Sequence, residues 1–159
     1  MAAVQAEDLE RRCGEDEMGK VKIKAADTAF SWCVRERADW TCERCGTRYE
    51  PPTRALHCSH FHGRGKWGLR FDPANGNCHC HGCHNYLGSH PMEHLDWVKK
   101  KIGEGMCDIL QEKANDTSLG KLAHKNEKEI TKHYREQLKI LQDKRAGGEE
   151  GYIEFEGWI

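Results

Sequence analysis

Two cysteine pairs, Cys42-x-x-Cys45 and Cys80-x-x-Cys83, have the residue type and spacing in this chain that most directly imply chemistry. Four thiolates in two such turns supply a closed tetrahedral set, the preference of structural zinc. The bland alternative is four buried, unliganded cysteines. A redox CxxC fits less well, because two pairs occur and no βαβ pattern surrounds them. Thirty-four residues separate Cys45 from Cys80, more than a plain two-knuckle zinc module uses. Something is therefore inserted between the knuckles.

Within and just after the insertion stand His60, Asn75 and His84. A lone histidine is more often structural than catalytic, but these three are framed by the cysteine pairs. The segments WTCERC, LHCSHFHGRG and RFDPANGNCHCHGCH resemble those of the HNH endonucleases. Over Ala26 to Gly103 the run AF…R.R..WTC.RCG, then SH, GR, RFDP.N, C.GCH.YL and HLDWVKKKIG, is similar to the NinG/Rap recombination proteins of lambdoid phages. That resemblance implies an α+β fold: a small zinc-stapled ββα-metal domain with flanking helices and a long C-terminal helix. It also implies hydrolysis of DNA phosphodiesters, leaving a 5′-phosphate and a 3′-hydroxyl, on branched or partly single-stranded substrates.

The chemistry suits those roles. Phosphodiester hydrolysis needs an activated water and a cation that neutralises charge on the phosphate. His60 is placed as general base, since imidazole accepts a proton near neutral pH. His84, beside a zinc ligand, offers a nitrogen to a divalent ion, and Asn75 can hold the His60 strand by hydrogen bonding. Many HNH enzymes carry an aspartate before the general base, where this chain has Ser59. The second ligand of the catalytic ion is therefore Ser59 through water or a neighbouring imidazole such as His57, with His62, His79 and His81 as lesser candidates. Mg²⁺, Mn²⁺, Ni²⁺ and Zn²⁺ all stay open as that ion, the softer three favoured by imidazole. Arg64, Lys66, Trp67 and Arg70, in and after the loop GRGKWG, are candidate DNA contacts: cations for phosphate and an indole for an unpaired base. For Trp67 a place in the core is an equal alternative. The rival to an enzyme is a noncatalytic zinc module that binds nucleic acid or a recombination partner. A sequence-specific HNH enzyme is disfavoured, because no separate DNA-reading module is evident.

The elements that must hold these residues are limited by composition. The chain has 159 residues, 32% of them charged, and a mean hydropathy of −0.88. A small core of this kind often needs a metal staple. The net charge of −1 is unevenly spread, with about −2 up to Val34, +4 from Arg35 to Lys101 and −3 beyond. The basic excess coincides with the Cys/His-rich part, where a phosphate backbone would be met. No apolar run suggests a membrane span or a signal peptide, so a reducing cytoplasm is expected.

Four segments are expected: an acidic mobile stretch at 1–24, the nuclease domain with its lead-in helix at 25–103, a helical extension at 104–146, and an acidic–aromatic tail at 147–159. The lead-in helix should run Ala25–Ala38 with Asp27 as N-cap and Ala29, Phe30, Cys33 and Val34 on one face. Leu56–Phe61 suits a strand. Helices should open at His84, run from Pro91 to Ile102, and cover Met106–Ala114. Leu122–Arg145 reads as one long helix with Ile130, Tyr134, Leu138 and Leu141 along a stripe, either packed on the domain or forming a homodimer seam. The tail could be an edge strand or bind a protein partner.

Overall fold

The computed structural model describes residues 21–159, so most of the acidic segment expected at 1–24 lies outside the described residues. Among these residues the fold is α+β, with six helices and one two-stranded sheet. Helix α1 spans Ala25–Arg37. Its anticipated face, Ala29, Phe30, Cys33 and Val34, is buried. Asp27 is not the N-cap: it sits one turn in, and its carboxylate accepts the Lys24 backbone N–H at 2.8 Å. A carboxylate at that position still offsets the unpaired amides and positive dipole of a helix start.

Strands β1 (Leu56–His60) and β2 (Gly76–Cys80) form an antiparallel hairpin, with His57 opposite His79, Cys58 opposite Cys78 and Ser59 opposite Asn77. Period-two alternation gives the hairpin two faces. Leu56, Cys58, Gly76 and Cys78 pack toward α1, and a Cβ on Gly76 would come within 2.9 Å of the Phe30 ring. This close approach admits only glycine. Arg37, buried at the end of α1, donates to the carbonyls of Pro73 (2.8 Å) and Gly76 (2.6 Å) and fixes the turn that enters β2.

Helix α2 is His81–Ser89, three residues earlier than expected. The Cys80 sulfur caps it by accepting the Cys83 N–H at 3.5 Å, so the second knuckle is itself the helix start. Helix α3 is Pro91–Ile102, with proline in the first turn and Gly103 at its end. It lies over the second face of the hairpin, where Trp97 packs against His79 with ring centroids 4.7 Å apart. Helix α4 is Glu104–Asn115.

The single helix expected over Leu122–Arg145 is instead two: α5 (Thr117–Lys125) and α6 (Glu127–Ala146). Asn126 makes the break. Its φ/ψ of −103°/25° leaves the helical region, and its side-chain amide donates to the Leu122 carbonyl at 2.8 Å, capping α5. Ile130, Tyr134, Leu138 and Leu141 are buried, with α6 packed along α1 in the same core as the hairpin. The Tyr134 hydroxyl donates to the Phe71 carbonyl, tying α6 to the long hairpin loop. The 147–159 tail forms no sheet; it runs extended with Ile153 and Phe155 buried, and the Ile153 N–H donates to the Arg37 carbonyl at 3.0 Å.

Candidate functional site

The first cysteine turn is built by backbone. Cys42 N–H donates to Thr47 O and Gly46 N–H to Cys42 O, both at 2.9 Å, and Gly46 takes φ +75° to close the knuckle. Glu43 N–H then donates to Cys78 O at 2.8 Å and docks this turn on β2, four residues from the second pair. The result brings the sulfurs of Cys42, Cys45, Cys80 and Cys83 all within 4.8 Å of one another. Burial pushes the Cys42 and Cys83 thiols up, Cys83 to about 12, whereas the Thr47 hydroxyl draws Cys45 down to about 6. Arg44 lies 3.6 Å from the Cys83 sulfur and adds a positive charge beside the thiols. Four converging soft donors of this kind fit a tetrahedral zinc ion.

Adjacent to this centre is a cleft of about 490 Å³ between α1, β1 and the start of α2. His57, His60 and His84 line it, together with Arg35, Arg54 and Arg64. Asp27 is the one acid in its lining, and both of its carboxylate oxygens are engaged by Arg70, Nε at 2.8 Å and Nη2 at 2.5 Å. The cleft therefore presents imidazoles and guanidinium groups with no acid free to oppose them. That is the electrostatic signature of an anion site.

Each imidazole is poised as a neutral base. His60 Nε2 lies 2.9 Å from the Arg70 carbonyl. A carbonyl only accepts, so Nε2 carries the proton and Nδ1 keeps its lone pair. Burial, with the nearby Arg64 charge second, lowers His60 to about 4. Burial likewise lowers His57 and His84 below the ordinary histidine value. The rings of His57 and His84 stand 5.1 Å apart, and His84 Nδ1 is buried without a hydrogen-bond partner, as is Arg64 Nε. An unpartnered imidazole nitrogen beside a second imidazole fits the donor set of a divalent transition ion.

Asn75 is fully buried and does not line the cleft. Its amide accepts from His62 N–H (2.7 Å) and donates to the carbonyls of His62 (2.9 Å) and Leu69 (3.0 Å). It thereby clamps both ends of the loop that follows β1 and fixes where His60 points.

Three sequence-derived assignments change. Ser59 is only 2% exposed and lies outside the cleft, opposite Asn77, whose side chain accepts from Lys101 of α3 at 2.6 Å. Arg70 is 1% exposed and spent on Asp27 and the Lys22 carbonyl, so it is a structural ion pair rather than a phosphate contact. Trp67 packs on His124 (4.6 Å), Phe71 and the Arg70 guanidinium, which makes it part of the core margin. Lys66 is exposed but borders a separate groove against α5. Of the four loop residues only Arg64 reaches the cleft. Arg35 and Arg54 were not singled out in the sequence. Arg35 is oriented by donating to Leu56 O at 2.7 Å and to Ser31 Oγ at 3.0 Å. The one signal for it was the i, i+4 relation of Ser31 and Arg35 on the polar side of α1.

Among the described residues no helix is long and apolar enough to cross a membrane. Compared with known proteins, no curated protein and no solved structure matches the chain. A family model does match, over residues 5–144: that of the bacteriophage lambda NinG protein.

Proposed function

The chain belongs to the bacteriophage lambda NinG protein family, and on that premise we propose that it is a metal-dependent DNA endonuclease of the HNH type acting in phage recombination. One observation carries the reading: His57, His60 and His84 meet Arg64 in a single cleft beside the four-cysteine centre. His60 supplies the base, with Nδ1 free and Nε2 held by the Arg70 carbonyl. A water oxygen attacks phosphorus, its proton passes to His60 Nδ1, and the bond from phosphorus to the 3′ oxygen breaks. The products are then a 5′-phosphate and, once the leaving oxygen is protonated, a 3′-hydroxyl. The low proton affinity of His60 keeps it unprotonated at pH 7, and an incoming phosphate anion raises that affinity.

Arg64, with Arg35 and Arg54 on the opposite wall, holds phosphate oxygens by charge and planar hydrogen bonding. His84 and His57 would hold the divalent ion, whose contribution when bound is to neutralise charge on the phosphate. Asn75 keeps the loop that carries Arg64 closed on β1. The cysteine centre anchors α2, and with it His84, directly after Cys83.

The substrate is DNA, read by backbone rather than by sequence. None of the cleft elements is a helix presenting a row of base-reading side chains, and the cations face a pocket. The preference for branched or partly single-stranded DNA follows from the NinG/Rap resemblance. A noncatalytic zinc module remains the alternative, favoured by one fact: a neutral, buried Ser59 stands where a metal-binding carboxylate is usual. Incubating the zinc-loaded protein with supercoiled plasmid and a divalent ion separates the two. Nicking supports the enzyme, and an intact plasmid with Mg²⁺, Mn²⁺, Ni²⁺ and added Zn²⁺ supports the module. A branched junction and a linear duplex of matched sequence, cleaved at fixed salt, test the substrate class.

A further inference from the structure

We infer that His57, His81 and His84 form a three-imidazole site for a first-row transition ion of the Co²⁺, Ni²⁺ or Zn²⁺ kind, and that Mg²⁺ does not occupy it. The inference rests on the nuclease reading only for what the ion does. The His57 ring lies between the other two, 5.1 Å from His84 and 5.4 Å from His81, centroid to centroid. A metal–nitrogen bond of about 2.1 Å puts each ring centroid about 3.2 Å from the ion, so two tetrahedral imidazole ligands have centroids about 5.3 Å apart. Both distances match. His81 and His84 are i, i+3 on the first turn of α2 and share a side of it. His57 faces them from β1.

His84 Nδ1, buried and unpartnered, points to a ligand. His81 Nε2 lies 3.0 Å from the side-chain amide nitrogen of Asn85, which fixes that nitrogen as the acceptor and shows its lone pair is available. Among the described residues only the four cysteines already have their donor atoms within 4.8 Å of one another. The imidazoles are therefore close as rings, and rotation about their χ2 bonds completes the site when the ion enters.

The donor chemistry selects the ion. Mg²⁺ asks for an octahedron of oxygens and binds through carboxylates. The one carboxylate lining the cleft belongs to Asp27 and is held on both oxygens by Arg70. Neutral imidazoles favour the later first-row ions. A buried Ser59 then needs no role in metal binding, which accounts for a hydroxyl at a position that is usually acidic.

The test is calorimetric titration of Ni²⁺ into the full-length protein carrying one zinc per chain, with zinc content measured before and after. The wild type should take up one Ni²⁺ per chain, unaffected by a large excess of Mg²⁺. His57→Ala, His81→Ala and His84→Ala should each weaken Ni²⁺ binding at least about tenfold while zinc stays in place. Wild-type affinity in His81→Ala would overturn the three-ligand site, as would displacement of Ni²⁺ by Mg²⁺ at comparable concentration. If His81→Ala loses zinc because it lies between Cys80 and Cys83, His57→Ala decides: it sits on β1, away from both turns, and unchanged Ni²⁺ affinity there also overturns the site. Because the readout involves no DNA, the two readings fail separately. Ni²⁺ binding without nicking supports the site and removes the nuclease, and wild-type Mg²⁺-dependent nicking by His81→Ala does the reverse.

Discussion

His60 Nε2 sits 2.9 Å from the backbone carbonyl of Arg70, ten residues further along the chain. The carbonyl decides which nitrogen of His60 keeps its proton, and it is held in place because the guanidinium of the same Arg70 is clamped on Asp27. One residue thus orients the base with its main chain and locks the loop to α1 with its side chain.

Arg70→Ala should accordingly act through stability. Removing one partner of a buried pair leaves the other charge uncompensated, and about 3–5 kcal/mol of stability should be lost. Arg64→Ala should leave melting nearly unchanged, yet weaken DNA binding and flatten its salt dependence by a slope of about 1. Equal melting points for the two variants, by calorimetry, would contradict this division.

Zinc should be stoichiometric and structural. After desalting, metal analysis should find about one ion per chain, and chelation should remove the cooperative melting transition, since little apolar core remains to hold the knuckles on β2. A metal-free protein with unchanged melting would show that the four thiols do not need an ion.

Acid should destabilise the fold through His60. Its proton affinity is lowered from the ordinary 6.5 to about 4 by burial. Between those values the unfolded chain binds a proton that the folded chain refuses, so stability is fully present above about pH 6.5 and is lost as pH falls toward 4. His60→Gln should melt with a shallower pH dependence over that window. Loss of zinc ligation in acid is common to both proteins, so a slope identical to the wild type's would remove His60 as a contributor.

What could be read in the sequence was local. The CxxC turns, the buried stripe of α1 and the Pro91–Ile102 helix follow from spacing, periodicity and end signals within a few residues. Pairing across the chain could not be read this way. Arg70 looked like a loop cation until Asp27, 43 residues away, was seen to hold it. Arg35 and Arg54 join the cleft only because α1 and the segment before β1 wall it. Asn126 hid inside an apolar pattern that is continuous in sequence, although Leu122 is 46% exposed and Ile130 fully buried. The acidic–aromatic tail offered no periodicity, and its place is set by tertiary contacts such as Trp158 N–H to the Tyr134 hydroxyl at 3.2 Å.

The base and the metal ligand should separate by mutation. His84→Ala should lose both nicking and Ni²⁺ binding. Asn75→Ala should reduce nicking together with stability, because it frees both ends of the loop after β1 and leaves buried backbone groups unpaired, at about 1–3 kcal/mol.

The central claim, that His60 is the base of a phosphodiester hydrolase, is tested most directly by comparing wild type and His60→Ala in metal-dependent nicking of supercoiled plasmid, with zinc content and Ni²⁺ binding measured on the same preparations. Wild type should nick, and His60→Ala should fail to nick while retaining its zinc and its Ni²⁺ affinity. Nicking by His60→Ala at a near-normal rate would contradict the account.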